Sequence, residues 1–282
     1  MTISEFKIHF KKELSDLYTA SESAFLFSVF VEKLIGFDQF QQRRFSHQEL
    51  LSDDEKELQK ITAELKTGKP YQHILGETEF YGMTFFVNEN VLIPRPETEE
   101  LLEIAIDTIQ SSFSEQKDLK ILDIGTGSGV IPLVLKKHFP DADVSSIDFS
   151  EAALETARRN AVFHELDVRF MYGDYLNFKL TENYDVIISN PPYIGIEEEV
   201  EIEDSVKGFE PQMALFSPTS DALIFYRKIA EDSKKNLNGN GLLFLEINQK
   251  LGSETLELYS FFSEAHLVKD LSGNDRFITG KR

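Results

Sequence analysis

Leu119–Phe139 reads LKILDIGTGSGVIPLVLKKHF: an apolar run closed by an aspartate, three glycines at alternate positions, then a second apolar stretch at helical spacing. The first run has the length of a buried strand, and Gly125, Gly127 and Gly129 let the backbone turn sharply and approach a ligand that any Cβ would push away. Working outward, DVSSID, DVRFMYG, YDVIIS and GLLFLEI are further short apolar strand candidates. Helical stretches separate them, among them SEAALETARRNAVF with Ser150 as its N-cap. Such alternation predicts an α/β domain with a parallel sheet and helices on both faces, and it directs attention to the loops after the strands, where ligands of these sheets bind.

The glycine spacing discriminates between cofactors. A dinucleotide fingerprint would place its third glycine at position 130, which is Val130. An acidic residue, Asp123, followed by glycines at alternate positions leans instead towards S-adenosylmethionine. Asp148 ends the second strand, where a carboxylate accepts hydrogen bonds from both ribose hydroxyls. Asp174 ends the next strand beside Tyr175, and the pair is expected to hold the edge and face of an adenine. The plainer readings are a helix cap for an aspartate and a core position for Tyr175.

The fourth strand of this domain leaves through SNPPYIG, Ser189–Gly195. Two prolines stiffen the exit and remove N–H donors, so carbonyls are left to face a ligand. The Asn190 side chain offers an acceptor and two donors, matching a planar amide or an amino-substituted base, while the Pro191 carbonyl takes a second N–H. Tyr193 is expected to cover the flat face of the substrate. The plainer reading is a turn, since Asn-Pro often starts one.

Upstream, the first 70 or so residues carry helical signals. Amphipathic stretches lie near residues 3–15, 21–35 and 37–44, and Ser52 with Glu55 has the letters of a capping box before Leu58, Ile61 and Leu65. From Ile74 to Val87 aromatic and β-branched residues broken at Gly76 and Gly82 suggest a hairpin. The formal charge of −20 opposes non-specific binding to a phosphate backbone. Without cysteine the chain has no disulfide or thiolate chemistry, which agrees with a reducing compartment, so the cytoplasm is the expected location. The start MTISEFKIHFKKELSD mixes charges unlike a signal peptide, and AFLFSVFV, Ala24–Val31, is far shorter than the ~20 residues of a membrane span. The histidines His9, His47, His73, His138, His164 and His266 lack ligand spacing, so no metal is expected.

DIGTGSG with NPPY resembles the amino-methyltransferases, which act on adenine N6 or on protein glutamine. The stretch GKPYQHILGETEFYGMTFFVNENVLIPRPETEELL from Gly68, with EPQMALF at Glu210–Phe216, FLEINQ at Phe244–Gln249 and KDLSGNDRF at Lys269–Phe277, is similar to the HemK/PrmC family. That family methylates the glutamine of the GGQ motif in peptide chain release factors. Asn248 stands where the family usually has glycine, and Tyr175 where some members have tryptophan. The resemblance implies a Rossmann-like class I methyltransferase domain with a parallel-rich sheet over residues 97–282. A helical bundle over 1–72 would dock the release factor, and 73–96 would form a β-hairpin linker. It implies that Gly125, Thr126, Gly127, Ser128, Gly129, Asp148, Asp174, Tyr175 and Asn190 contact S-adenosylmethionine. Asn190, Pro191, Pro192 and Tyr193 would hold the substrate glutamine, with Asn190, Pro191 and Tyr193 in catalysis, and Arg95 and Thr98 would line a loop near the cofactor, the plainer reading being a proline-stiffened helix start with Thr98 as its cap. The expected partner is a release factor, with neither membrane nor nucleic acid as direct partner, and the expected state is a monomer. The competing readings are an adenine N6-methyltransferase, which would want a basic face, and a non-catalytic adaptor, which need not keep the glycines or Asn190.

Overall fold

The computed structural model describes residues 1–116, 118–192, 208–215, 219 and 221–282. They form two compact units, one of Met1–Gly76 with Gly208 and Phe209, the other of the remaining described residues from Glu77 onward.

The first unit is helical: α1 (Ile3–Glu13), α2 (Ala20–Ile35), α3 (Gln39–Arg44), α4 (Ser52–Leu65) and α5 (Tyr71–Leu75). Apolar residues three and four apart give each longer helix one inward stripe, and Phe6, Phe10, Phe27, Phe30, Leu58 and Leu65 meet in a single core. Reciprocal capping boxes start three helices: Thr2 with Glu5, Thr19 with Glu22, and Asp38 with Gln41. The box expected at Ser52 does not form. Leu51 is the N-cap of α4 and Ser52 already lies inside the helix, while the Glu55 carboxylate pairs with the Met1 amine at 2.8 Å. Ile74 is also not a strand residue, because Tyr71–Leu75 makes a helical turn that Gly76 ends at φ +73°.

The second unit opens with the hairpin β1 (Glu77–Phe80) and β2 (Met83–Phe86). Its two-residue turn, Tyr81 and Gly82, has positive φ at both positions, the twist that suits paired strands. The main sheet follows with β3 (Lys120–Ile124), β4 (Asp143–Asp148), β5 (Arg169–Tyr172), β6 (Tyr184–Ser189), β7 (Leu237–Glu246), β8 (Glu264–Lys269) and β9 (Asp275–Lys281). The order is β5-β4-β3-β6-β7-β9-β8, parallel from β5 to β7, with β9 antiparallel to both of its neighbours. All five expected strands are present, and the sheet is mostly parallel as predicted. The terminal hairpin β8–β9 was not legible in the sequence.

Residues alternate between the two faces with period two. Ile121, Val186, Ile188, Leu242 and Phe244 pack into one core with α6 (Pro96–Ser112) and α7 (Val130–His138). Leu122, Ile124, Ile187, Leu243 and Leu245 pack on the other side with Tyr226 and Ile229 of the helix Ile224–Asn236. Because both faces are covered, every residue of β6 is buried, which explains why these strands read as unbroken apolar runs. No described helix is long and apolar enough to cross a membrane.

Candidate active site

The carboxyl ends of β5, β4, β3, β6 and β7 stand side by side in the sheet, so the loops that follow them line one rim. Gly125, Gly127 and Gly129 all adopt left-handed φ, +92°, +54° and +87°. A Cβ on Gly129 would come within 3.1 Å of the Ala157 Cβ, so this glycine lets α7 pack against α8 (Glu151–Phe163). A Cβ on Gly127 would meet nothing within 4 Å, and one on Gly125 would sit 3.5 Å from the Asn190 carbonyl oxygen. Those two keep backbone open at the rim rather than satisfying internal packing.

Thr126 and Ser128 are buried with their side chains turned into the protein. Ser146 Oγ donates to Asp123 Oδ2 at 2.5 Å, and the Thr126 hydroxyl lies 2.5 Å from Ser146 Oγ. This chain ties the glycine loop to the strands beneath it. Burial pushes the Asp123 carboxyl well above its ordinary range; the Ser146 hydrogen bond opposes the shift and the nearby Asp148 adds to it. Asp148, at the end of β4, accepts from the Gly127 amide at 2.9 Å and the Ser150 amide at 2.8 Å. Burial raises its carboxyl too, against the pull of those backbone amides. Asp148 therefore both anchors the glycine loop and remains half-buried at the rim.

The next strand end differs from expectation. Asp174 accepts from the Leu176 amide at 3.1 Å and from Asn177 Nδ2 at 2.6 Å, closing the turn after β5. Tyr175 is 5% exposed, its hydroxyl donates to Asp232 Oδ2 at 2.9 Å, and Lys228 Nζ stands 4.9 Å from its ring centroid. The tyrosine occupies the core position, where an adenine-facing ring was expected.

Asn190 follows β6 directly, and Ser189 holds the strand end by donating from Oγ to the Ile124 carbonyl at 2.6 Å. Asn190 Nδ2 donates to Thr98 Oγ1 at 3.2 Å, and Thr98 Oγ1 donates to Glu246 Oε2 at 2.7 Å. Thr98 and Glu246 are 3% and 1% exposed. Thr98 is not the cap of α6: Arg95 is the N-cap, Pro96 the first helical residue, and the Thr98 hydroxyl is turned to the end of β7. Arg95 pairs through Nη2 with Glu210 Oε1 at 2.6 Å, and the other carboxylate oxygen accepts from the Ile93 amide at 3.0 Å. Pro191 is buried and Pro192 half-buried, and Tyr193 lies outside the described residues. Glu246 and Glu210 were missed as site residues, although an acid inside the apolar run LLFLEI is a detectable signal.

The family described as Methyltransferase small domain matches residues 100–206. Over 284 aligned residues the chain is 43% identical to a release factor glutamine methyltransferase of Flavobacterium psychrophilum, covering 99% of this chain and 98% of that protein. It is 36% identical to the Bacteroides thetaiotaomicron protein of the same name, with 97% and 98% covered. A T. thermophilus 16S rRNA methyltransferase, solved in complex with AdoMet and guanosine, shares the fold at a TM-score of 0.51 and 16% identity, covering 73% of this chain and 49% of that one. With glycine loop, acidic strand ends and strand-end asparagine on one rim, and relatives alike from end to end, the chain belongs to the release factor glutamine methyltransferases.

Proposed function

We propose that the chain moves a methyl group from S-adenosylmethionine to the side-chain N5 of the glutamine in the GGQ motif of peptide chain release factors, with Asn190 as the reader of that amide. The observation that carries this reading is Asn190 at the rim, its carbonyl 3.5 Å from the point where a Gly125 Cβ would lie. Gly125, in the left-handed region at φ +92°, thus brings the glycine loop against the backbone of the substrate reader. The residues suit the donor: the backbone of Gly125–Gly129 accommodates the close approach of an extended ligand, and the half-buried Asp148 carboxylate is an acceptor matched to ribose hydroxyls. When bound, the sulfonium supplies an electrophilic methyl and a neutral leaving thioether.

The protein's share is then position. Amide nitrogen is a poor nucleophile because its lone pair is delocalised. Acceptors at Asn190 and the Pro191 carbonyl draw density onto that nitrogen and aim it at the methyl carbon, with Pro192 stiffening the segment and Tyr193 covering the amide plane. Asp174 and the Tyr175 backbone complete the adenine end. In this reading the unit beginning at Met1 grips the release factor, which suits exposed apolar side chains such as Ile8, Phe25 and Phe40, and the enzyme works as a cytoplasmic monomer. The N6-adenine reading shares the donor but is not favoured, since the full-length relatives act on glutamine by name and the charge of −20 repels a phosphate backbone.

The test is the mass of purified release factor after incubation with the enzyme and S-adenosylmethionine. A gain of one methyl on the GGQ peptide is expected, lost with Asn190→Ala. An intact, folded release factor that stays unmodified would overturn the reading.

A further inference from the structure

An asparagine amide has nearly the same shape whichever way it is turned, so packing alone does not decide whether Oδ1 or Nδ2 meets a substrate. At position 190 the choice is made by proton count. Glu246, 1% exposed at the end of β7, is the acceptor in its bond with Thr98. The Thr98 hydroxyl has one proton, and it is spent on Glu246 Oε2 at 2.7 Å. What Thr98 then shows to Asn190 is lone pairs only, so Asn190 meets it with an N–H, at 3.2 Å. Turning the amide round would set Oδ1 against an oxygen with no proton left. Tyr226 adds to the fixity by donating to the Glu246 carbonyl at 3.0 Å, holding the end of β7 in place.

We propose that Glu246 and Thr98 are positioning residues that set the polarity of the Asn190 amide, holding Oδ1 towards the rim as an acceptor for the substrate N–H. The inference rests on the assignment of Asn190 as reader of the glutamine amide. It adds a reason for two residues that touch no substrate: an inverted Asn190 would present N–H groups to an N–H donor, and nothing would draw density onto the nitrogen to be methylated. The hydroxyl is the required group, so serine serves at position 98 and valine, of equal shape but without a proton to give or a lone pair to offer, does not.

The experiment has two arms on the full-length enzyme. In the first, proton magnetisation transfer is measured between the Asn190 side-chain NH₂, assigned by its disappearance in Asn190→Asp, and the Thr98 γ-methyl of the wild-type protein. A cross-peak is expected, because the amide protons face Thr98; its absence from an assigned, folded sample would overturn the polarity. In the second, kcat and KM for release factor are measured with Thr98→Ser and Thr98→Val, alongside their thermal midpoints. Serine is expected to stay within about threefold of wild type and valine to lose about ten- to a hundredfold, chiefly in kcat. A folded Thr98→Val with wild-type kcat, or a Thr98→Ser as impaired as valine, would overturn the positioning role. If Thr98→Val does not fold, the cross-peak and the serine variant still decide the matter. Failure of the wild-type enzyme to methylate release factor would sink the functional reading, whereas the cross-peak tests the amide polarity without any turnover.

Discussion

At residue 190 an amide differs from a carboxylate by one nitrogen, and Thr98 makes that difference costly. With the Thr98 proton given to Glu246, Asn190→Asp would put a second carboxylate against the same hydroxyl, and two acceptors would compete for one proton. An unpaired, partly buried acceptor costs roughly 1 to 3 kcal/mol, so the variant is expected to stay folded and to lose about tenfold to a hundredfold in kcat at pH 7.5. Poor solvation and the neighbouring Glu246 raise the pKa of the new carboxyl, and its protonated form regains a donor, so activity is expected to climb as pH falls. A flat profile with near-wild-type rate would show that position 190 does not read the amide. The strand-end placement of Gly125, Asp148 and Asn190 was legible in the sequence because each sits in a short local pattern after an apolar run. Thr98 was singled out through the family resemblance, but its bonds to Asn190 and Glu246 were not legible, because those partners lie 92 and 148 residues away along the chain, and Glu246 was not singled out at all. The direction in which Tyr175 turns was equally hidden, since its partner Asp232 lies 57 residues away.

Among elements, the same letters carried different outcomes. Ser52-Asp-Asp-Glu55 has a capping-box spelling but begins one residue too late, while Thr2, Thr19 and Asp38 form true boxes because the chain enters those helices in an extended conformation at the capping residue itself. Strands β3 to β7 were legible as apolar runs. β8 was not, because it alternates exposed and half-buried residues and never becomes an apolar run. Between elements, Glu182 joins β3 to β5, meeting Arg169 at 2.6 Å and Lys120 at 2.8 Å. Its hydrogen bonds, Arg169 first and then Lys120, hold the Glu182 carboxyl at about 2, below the usual 4.5. A depressed carboxyl stabilises the fold above its unfolded value and loses that contribution as pH falls towards the folded one. Glu182→Gln is therefore expected to lower the melting temperature at pH 7 by no more than about 3 °C, as befits a solvent-facing cluster. The gap to wild type should close between about pH 4.5 and pH 2 and shrink in high salt. A gap that is constant with pH would assign Glu182 a packing role.

At the scale of the whole molecule, each unit has an apolar core of its own among the described residues, built from residues up to Leu75 in the first and from Phe80 onward in the second. A chain of residues 77–282 is accordingly expected to melt cooperatively and to bind S-adenosylmethionine with an affinity within about threefold of the full chain. It should methylate intact release factor poorly, and full activity would refute a docking role for the helical unit. The order of strands has a consequence for how the protein is made. β7 lies beside β9, yet β8 is synthesised between them, so β7 stays unpaired on that side until the last strand is made and docks. Until it does, Leu242–Leu245 present an uncovered apolar edge able to pair with the same segment of another nascent or refolding copy. Afterwards the free edge is β8, shorter and carrying Glu264 and Lys269, which discourages such pairing. Refolding yield should thus fall steeply with protein concentration, and a chaperone that shields one strand for the time the last strand takes to dock is the help this chain needs.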